Sequence, residues 1–185
     1  MKQRIQNSPP VPMTTPVDRE TLLSLRAGDR VLLSGEVLVF RDEVHRILCG
    51  LIERGGPLPF NLENAALYYC GPTPAHGGRP VGSAGPTTAS RMDRFTGPLL
   101  VRGLAVTIGK GNRSPEVRDL LVRHGAVYLV ATGGVGALLA SHIAASRLIA
   151  YPELGPEAAR VFTVTDMPLI VGLDAHRGSA FVNCE

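Results

Sequence analysis

The sequence predicts an α/β domain, because short apolar runs alternate with segments of helical periodicity. Strands are predicted at residues 31–40, 65–70, 104–108, 126–131, 148–151, 161–165 and 169–173. Turn residues separate these runs from the helical segments, as expected where strands and helices alternate along the chain. The chain has 185 residues, of which 44% are hydrophobic, and this suits one domain with a sizeable core.

The amino-terminal part divides into an arm and the start of the domain. Residues 1–17 are polar, carry four prolines, and are predicted to form an extended arm that lies on a partner or is disordered. Residues 18–185 are predicted to form a single domain. Asp18 is placed to cap a short first helix, and Gly35 is a candidate β-bulge in the first long strand.

Helices are predicted where apolar residues recur at a spacing of three and four. Residues 42–54 have this pattern, and a pair of glycines ends it. Ser114 followed by Pro115 predicts a capped helix start, and Gly125 predicts its end. Residues 132–146 are predicted to form a glycine-rich turn and then a helix.

Composition excludes several classes of function. The net charge of +3 is too small to indicate a nucleic-acid-binding protein, although it suits an anionic metabolite. Cys49, Cys70 and Cys184 are far apart, which predicts reduced cysteines and neither a disulfide framework nor a metal site held by this chain alone. The start of the chain lacks the apolar region of a signal peptide, and no apolar run reaches the ~20 residues of a membrane span. We therefore expect a cytoplasmic location.

The least ordinary segment is residues 71–86, which hold five glycines and four prolines. Such a long loop in a compact domain is usually functional or disordered. It leads into Gly85-Pro86-Thr87-Thr88, where either threonine could cap a helix whose free N–H groups would attract an anion. Arg91 lies one turn further on and could hold a carboxylate with its planar fork. The plainer interpretation is a capped helix with a surface arginine.

Two further segments place cations at the ends of predicted strands. Lys110 lies between two glycines, where it is either solvated or presented to an anion beyond the strand end. Arg41 directly follows another strand, Asp42 could cap the next helix, and His45 would lie one turn further along. A structural contact between Asp42 and His45 is the commoner explanation for that spacing.

A glycine-rich turn at residues 132–137 resembles half of a dinucleotide-binding fingerprint. Leu139 stands where the third glycine is needed, and no acidic residue ends a following strand at the expected distance. Close packing of a helix on a strand is the better interpretation. A non-catalytic nucleotide- or anion-binding module built on residues 126–146 remains the alternative function.

Five strings in this chain resemble the β subunit, or carboxyl-terminal domain, of class I fumarases and L-tartrate dehydratases. The most specific is Gly-Pro-Thr-Thr-x-x-Arg-Met-Asp at residues 85–93. The others are Arg-Val-Leu-Leu-Ser-Gly at 30–35, Arg-Asp-x-x-His at 41–45, Ile-Gly-Lys-Gly at 108–111 and Tyr-Pro-Glu-Leu-Gly-Pro-Glu at 151–157. They occur in the family's order and cover nearly all of the chain from about residue 15.

The resemblance implies a swivelling β/β/α domain with a mixed β-sheet and flanking helices. It also implies a hydro-lyase that is active only with an α subunit, in which three cysteines hold a [4Fe–4S] cluster and leave one iron open to the substrate. The active site is expected between the two polypeptides, and the expected assembly is a dimer of αβ pairs. The expected substrate is a C4 dicarboxylate: fumarate and malate first, with tartrate or mesaconate as alternatives.

Carried over by position, the resemblance assigns roles to eight residues of this chain. Thr87, Arg91 and Lys110 are the expected catalytic residues, and Arg41, Gly85 and Thr88 are expected to bind or support the substrate. Asp42 and His45 are expected to support these residues without contacting the substrate. Two departures leave the substrate open: Phe40 is bulkier than the residue expected before the arginine, and residues 75–79 are closer to stand-alone β subunits than to fused enzymes.

Overall fold

The computed structural model describes residues 9–75 and 77–181, which form seven strands and five α-helices. The strands are β1 (Val11–Thr14), β2 (Arg30–Val39), β3 (Ala66–Tyr68), β4 (Val106–Gly109), β5 (Val127–Val130), β6 (Ile143–Ala150) and β7 (Ala159–Leu173). The helices are α1 (Arg19–Ser24), α2 (Asp42–Glu53), α3 (Asp93–Val101), α4 (Pro115–His124) and α5 (Gly136–Ser141). Short 3₁₀ helices occupy Ala89–Met92 and Pro152–Glu157.

The strands form one mixed sheet in the order β1-β2-β3-β4-β5-β7-β6. Strands β1 to β5 run parallel, and β7 is antiparallel to β2, β5 and β6. Because β7 pairs with β2 as well as with β5, the sheet closes on itself. The predicted α/β class, with a mixed sheet and flanking helices, is confirmed.

The sheet separates two hydrophobic cores. Successive side chains of a strand point to opposite faces, so Val37 and Val39 of β2 enter one core while Leu38 enters the other. The first core lies among the strands and includes residues of α1 and α5. The second lies between the sheet and α2, α3 and α4. Both faces of the sheet are therefore covered.

Local signals in the sequence predicted several helix ends correctly. The Asp18 carboxylate accepts a hydrogen bond from the Thr21 N–H at 2.8 Å and caps α1. Ser114 caps α4, and Gly125 ends it with a left-handed φ of 65°. The predicted bulge at Gly35 coincides with the register shift between β2 and β7.

The prediction of a helix to about residue 146 was wrong, because α5 ends at Ser141 and β6 begins at Ile143, whereas the predicted strand at 148–151 lies largely within β6. Most of the small and apolar residues of this segment suit a helix locally, but they pair with β7 in the folded chain, and such tertiary pairing overrides local preference. The predicted strands at 161–165 and 169–173 are parts of the single strand β7. Between them the chain has a positive φ at Asp166 and a proline at 168, but β7 continues through both positions.

The segment predicted as an arm contributes an edge strand. Residues 11–14 form β1, which pairs with residues 31–34 of β2. Residues 1–8 lie outside the described part of the chain. The described residues include no helix with the length and apolar character that a bilayer span requires.

A buried ion pair ties α3 to the loop that follows β4. The Arg113 side chain is fully buried, and its Nε donates to the Asp93 carboxylate at 2.6 Å. Its other nitrogens donate to the hydroxyls of Thr96, Thr107 and Tyr69. The second Asp93 oxygen accepts from the Ser114 N–H at 2.8 Å, so the loop is held at two points.

Asp93→Asn should lower the free energy of unfolding by about 3 kcal/mol, because it leaves the Arg113 charge buried without its partner. Urea denaturation followed by circular dichroism measures this. Asp119→Asn is the matched control, since its ion pair with Arg177 is exposed and should contribute little. Equal losses for the two variants would contradict the structural importance of the buried pair.

A second buried polar group, His45, lies in the first turn of α2. Its ring packs against Phe40 and Tyr69, with centroids 4.8 and 5.3 Å away. Burial lowers the pKa of His45 to about 4, helped by the Arg113 charge and opposed by the hydrogen bond to the Arg41 carbonyl and by the Asp42 charge. The imidazole is therefore neutral, and its Nδ1–H donates to the Arg41 carbonyl at 2.8 Å.

The lowered pKa of His45 predicts loss of stability in mild acid. The unfolded chain gains a proton as the pH falls below the ordinary value of 6.5, while the folded chain stays neutral to about pH 4. Between about pH 7.5 and 5 this should remove about 2 kcal/mol of unfolding free energy. His45→Leu should lose that part of the pH dependence, and His176→Leu, at an exposed imidazole, should keep it. Parallel pH profiles for wild type and His45→Leu would contradict the buried neutral state.

Candidate active site

A polar cleft of about 450 Å³ opens beyond the carboxyl ends of β3 and β4. Its lining includes all six residues that the sequence predicted to act on or bind the substrate: Arg41, Gly85, Thr87, Thr88, Arg91 and Lys110. They come from three segments that are far apart in the chain. The fold therefore brings the two arginines and the lysine to one cleft, and their roles in it remain proposals.

Residues 86–88 reach the cleft by inserting between β3 and β4 beyond the point where these strands pair. The Thr87 N–H donates to the Tyr69 carbonyl at 2.7 Å, and the Thr87 carbonyl accepts from the Lys110 N–H at 3.1 Å. The Lys110 carbonyl in turn accepts from the Ala89 N–H at 2.9 Å. Thr87 and Lys110 are consequently fixed to each other through their backbones.

Two glycines allow the backbones around the cleft to approach closely. A Cβ on Gly109 would lie 3.0 Å from the Cβ of Ala89 and 3.2 Å from the Thr87 carbonyl oxygen. A Cβ on Gly136 would lie 3.0 Å from the Gly85 nitrogen. The glycine-rich turn thus packs against the loop that carries Gly85, where the sequence predicted packing of a helix on a strand.

Asp42 orients Arg91 through a two-pronged contact. The Nε and Nη2 atoms of Arg91 donate to the two Asp42 carboxylate oxygens at 3.1 and 2.7 Å. Asp42 is the first residue of α2, where no side-chain cap is formed, so the predicted capping role was wrong. The expected contact between Asp42 and His45 is not made either, because the His45 ring donates to the Arg41 carbonyl instead. Because Asp42 directly follows Arg41, the segment that carries one arginine of the cleft also holds the other.

Arg41 is held from several sides. Its Nε donates to Glu157 Oε1 at 2.5 Å, and its Nη2 also contacts that oxygen. A Cβ on Gly71 would lie 2.8 Å from the Arg41 Cζ, so the guanidinium rests against the backbone there. Its carbonyl accepts from His45. Both ends of Arg41 are therefore positioned before any ligand binds.

The electrostatic balance of the cleft is positive. Three cations line it, and two of them are paired with carboxylates of the same chain, which leaves the exposed Lys110 without an ion-pair partner among the described residues. Cys70 adjoins the cleft, but burial raises the pKa of its thiol to about 12, against the effect of the Arg41 charge. Its sulfur is protonated at neutral pH, so the candidate chemistry belongs to the cations and the hydroxyls.

The expected helix amino-terminus at the threonines was wrong. Thr88 precedes a 3₁₀ helix and makes no capping bond with its side chain, and α3 begins only at Asp93. The N–H groups of Ala89 and Arg91 are donated to protein carbonyls. An anion in the cleft would therefore be held mainly by side chains.

Sequence reasoning missed several contributors to the cleft. Glu157 was noted only as part of a family string, and its contact with Arg41 joins residues 116 positions apart, which local patterns do not reveal. The further lining residues are Gly71, Ser83, Pro86, Gly134 and Gly136. The density of glycine and proline in residues 71–86, and of glycine in residues 132–137, was the available signal.

The described residues contain no group of three or more His, Cys, Asp or Glu side chains that could hold a metal ion. Cys49 and Cys70 are buried and unpaired, and Cys184 lies outside the described residues. The donor set of the cleft consists of guanidinium, ammonium and hydroxyl groups, which suit an anion and are poor ligands for iron.

Comparisons with known proteins identify the family of this chain. The family model described as fumarase C-terminus matches residues 1–184. Fumarate hydratase 2 of Leishmania major is 38% identical over 168 residues, which are 89% of this chain and 30% of that protein. The anaerobic class I fumarate hydratase of Escherichia coli is 41% identical over 147 residues, which are 78% of this chain and 27% of that protein.

A shorter relative has a length close to that of this chain. The L(+)-tartrate dehydratase subunit beta of Escherichia coli is 32% identical over 169 residues, which are 89% of this chain and 83% of the subunit. By contrast, the chain spans less than a third of the fumarate hydratases that it matches. The match over nearly the whole chain shows that this protein belongs to the fumarase C-terminus family, together with class I fumarate hydratases and tartrate dehydratase β subunits.

Proposed function

We propose that this chain is the β subunit of a hydro-lyase that adds water to, or removes it from, a C4 dicarboxylate. The observation that carries the proposal is the convergence of Arg41, Arg91 and Lys110 on one cleft beside Thr87. Planar guanidinium forks match carboxylates in shape and charge, and two of them suit a small dianion. The cleft's volume lies in the range of small-molecule sites.

Fumarate and malate are the favoured substrate pair. The fumarate hydratases named above are 38 and 41% identical to this chain, compared with 32% for the tartrate dehydratase subunit. Tartrate and mesaconate differ from these substrates by a hydroxyl or a methyl group, and they remain the alternatives. All of these compounds present two carboxylates, so the same cations serve each of them.

In the proposed reaction, the elements of water leave C2 and C3 of a 2-hydroxy dicarboxylate. Arg41 and Arg91 each bind a carboxylate, and Lys110 adds a third positive charge. As the C3 proton departs, negative charge spreads into the neighbouring carboxylate, where fixed cations stabilise it. The protein contributes charge that is already in place and therefore needs little rearrangement.

Thr87 has two possible roles. The residue is only 8% exposed, and it lies beside cations that favour an ionised hydroxyl. A threonine hydroxyl is a weak base, so it removes the C3 proton only if these cations and a carboxylate from a partner lower its pKa. Otherwise Thr87 donates a hydrogen bond to the bound substrate.

A partner subunit completes the proposed enzyme. The resemblance implies a [4Fe–4S] cluster, for which the described residues of this chain provide no ligand set. We therefore assign the cluster to an α subunit and the anion-binding half of the site to this chain. A dimer of αβ pairs and a cytoplasmic location belong to the same proposal.

The alternative nucleotide-binding module has little support in the structure. The glycine-rich turn does follow β5 and open α5, but α5 has only six residues and leads into β6, which pairs antiparallel with β7 and so forms no parallel strand–helix–strand unit. Gly134 and Gly136 line the cation-lined cleft itself.

The proposed function is tested by producing the chain together with its candidate α subunit under anaerobic conditions. Fumarate, malate, tartrate and mesaconate are then screened as substrates, and the isolated chain is titrated with NAD and ATP. Hydration or dehydration of one diacid by the complex is expected, with no activity from either polypeptide alone. An inactive complex and tight nucleotide binding by the isolated chain would favour the alternative.

Within the same assay, Arg91→Lys should preserve the complex but lower turnover at least ~100-fold, since one ammonium cannot replace a planar fork held by Asp42. Arg94→Lys is the matched control, because Arg94 is exposed and lies outside the cleft. Near-normal turnover of the Arg91 variant would count against carboxylate binding by this residue.

Substitutions at Thr87 separate a role in chemistry from a role in packing. Thr87→Ser keeps the hydroxyl and should retain appreciable turnover, whereas Thr87→Ala and Thr87→Val should lose it by about 100-fold or more. Steady-state rates at saturating substrate provide the measurement. Equal rates for the serine and alanine variants would remove the hydroxyl from the reaction.

A further inference from the structure

We propose that Glu157 is a positioning residue that aims the guanidinium of Arg41 at a substrate carboxylate. The inference rests on the proposed function and adds a residue to which the sequence gave no role. Glu157 does not need to touch the substrate in this account. It acts by holding one edge of Arg41 so that the other edge faces a ligand in a fixed orientation.

The register of the sheet brings the two side chains together. Strand β7 runs antiparallel to β2, and Val39 is paired with Arg160. Continuing this register places Arg41, two residues after Val39, beside residue 158. Glu157 ends the 3₁₀ helix that immediately precedes β7. The contact is therefore a consequence of the longest pairing in the sheet.

The contact uses a particular edge of the guanidinium. Glu157 Oε1 accepts from Nε and also contacts Nη2 of Arg41. Asp42 holds the same edge of Arg91, with one carboxylate oxygen accepting from Nε and the other from Nη2. Among the described residues, no protein group accepts a hydrogen bond from Nη1 of either arginine. Each guanidinium is thus fixed along one edge and keeps donors for an incoming carboxylate.

Arg41 has little freedom once this contact is made. The Gly71 backbone lies against its guanidinium, and its carbonyl is held by His45. A long side chain loses rotamer entropy when it is ordered. If the ordering occurs on folding, the substrate does not meet that cost on binding. Glu157 should therefore affect substrate affinity more than fold stability.

The exposure of the pair distinguishes it from a structural ion pair. Both side chains are 30% exposed, and ion pairs that remain open to water contribute little to stability.

A carboxylate beside Arg41 could instead compete with the substrate for the same cation. That role predicts tighter binding of a dianion when Glu157 is neutralised, whereas the positioning role predicts weaker binding.

The test uses Glu157→Ala and Glu157→Gln in the enzyme produced with its α subunit. Glu153→Gln is the matched control, because Glu153 is exposed on the same 3₁₀ helix and lies outside the cleft. Glu157→Ala should raise KM for the dicarboxylate about tenfold, with a smaller change in kcat. Glu157→Gln keeps an oxygen acceptor for Nε and should show an intermediate effect.

Competitive inhibitors provide a readout that a purely structural role would not change. Succinate carries two carboxylates and butyrate carries one, so misplacement of Arg41 should reduce the preference for succinate about tenfold. If Glu157→Ala fails to fold, Glu157→Gln is expected to show a smaller loss of the same preference. A preference within twofold of Glu153→Gln in every folded Glu157 variant, or tighter succinate binding, would overturn the inference. Absence of dicarboxylate turnover in the wild-type complex would instead refute the proposed function.

Discussion

The candidate site depends on the insertion of residues 86–88 between the carboxyl ends of β3 and β4. The Thr87 N–H donates to the Tyr69 carbonyl and the Thr87 carbonyl accepts from the Lys110 N–H, which makes this short segment part of the sheet. Gly109 suits this position because a Cβ there would lie only 3.0 Å from the Ala89 Cβ and 3.2 Å from the Thr87 carbonyl oxygen, closer than most packed atoms. This pairing fixes Thr87 and Thr88, which follow the glycine- and proline-rich loop, against the edge of the sheet. The buried ion pair of Arg113 and Asp93 also ties the loop after β4 to the start of α3.

Carboxylates of the chain itself control the charge in this cleft. Two unpaired arginines close together would repel each other and would adopt many rotamers in water. Asp42 and Glu157 reduce both effects while leaving donors on each guanidinium. The remaining positive charge is that of Lys110, on the loop after β4. The arginines and Lys110 thus hold positive charge in place before a ligand binds, and fixed charge of this kind suits the carboxylate binding that we propose.

Local chemistry explains which parts of this structure could be predicted from sequence. The cap at Asp18, the Ser114-Pro115 helix start and the bulge at Gly35 each depend on a few neighbouring residues, and all three were predicted. The extent of β6 and the continuity of β7 depend on their pairing, so local preferences placed a helix over residues 143–146 and divided β7 into two strands. The cations of the cleft were identified through family strings, whereas the partnership of Glu157 with Arg41 required the β2–β7 register. The predicted threonine cap is not formed, because the backbone of residues 86–88 pairs with the ends of β3 and β4 instead.

We propose that Arg41 and Arg91 bind opposite ends of the same dicarboxylate. An experimental structure of the complex with its α subunit, determined with a bound substrate or succinate, tests it most directly. The account predicts both guanidinium groups within hydrogen-bond distance, about 3 Å, of different carboxylates of one ligand, with Asp42 and Glu157 still in contact with their arginines. A ligand held by only one arginine, or bound away from the cleft, would contradict it.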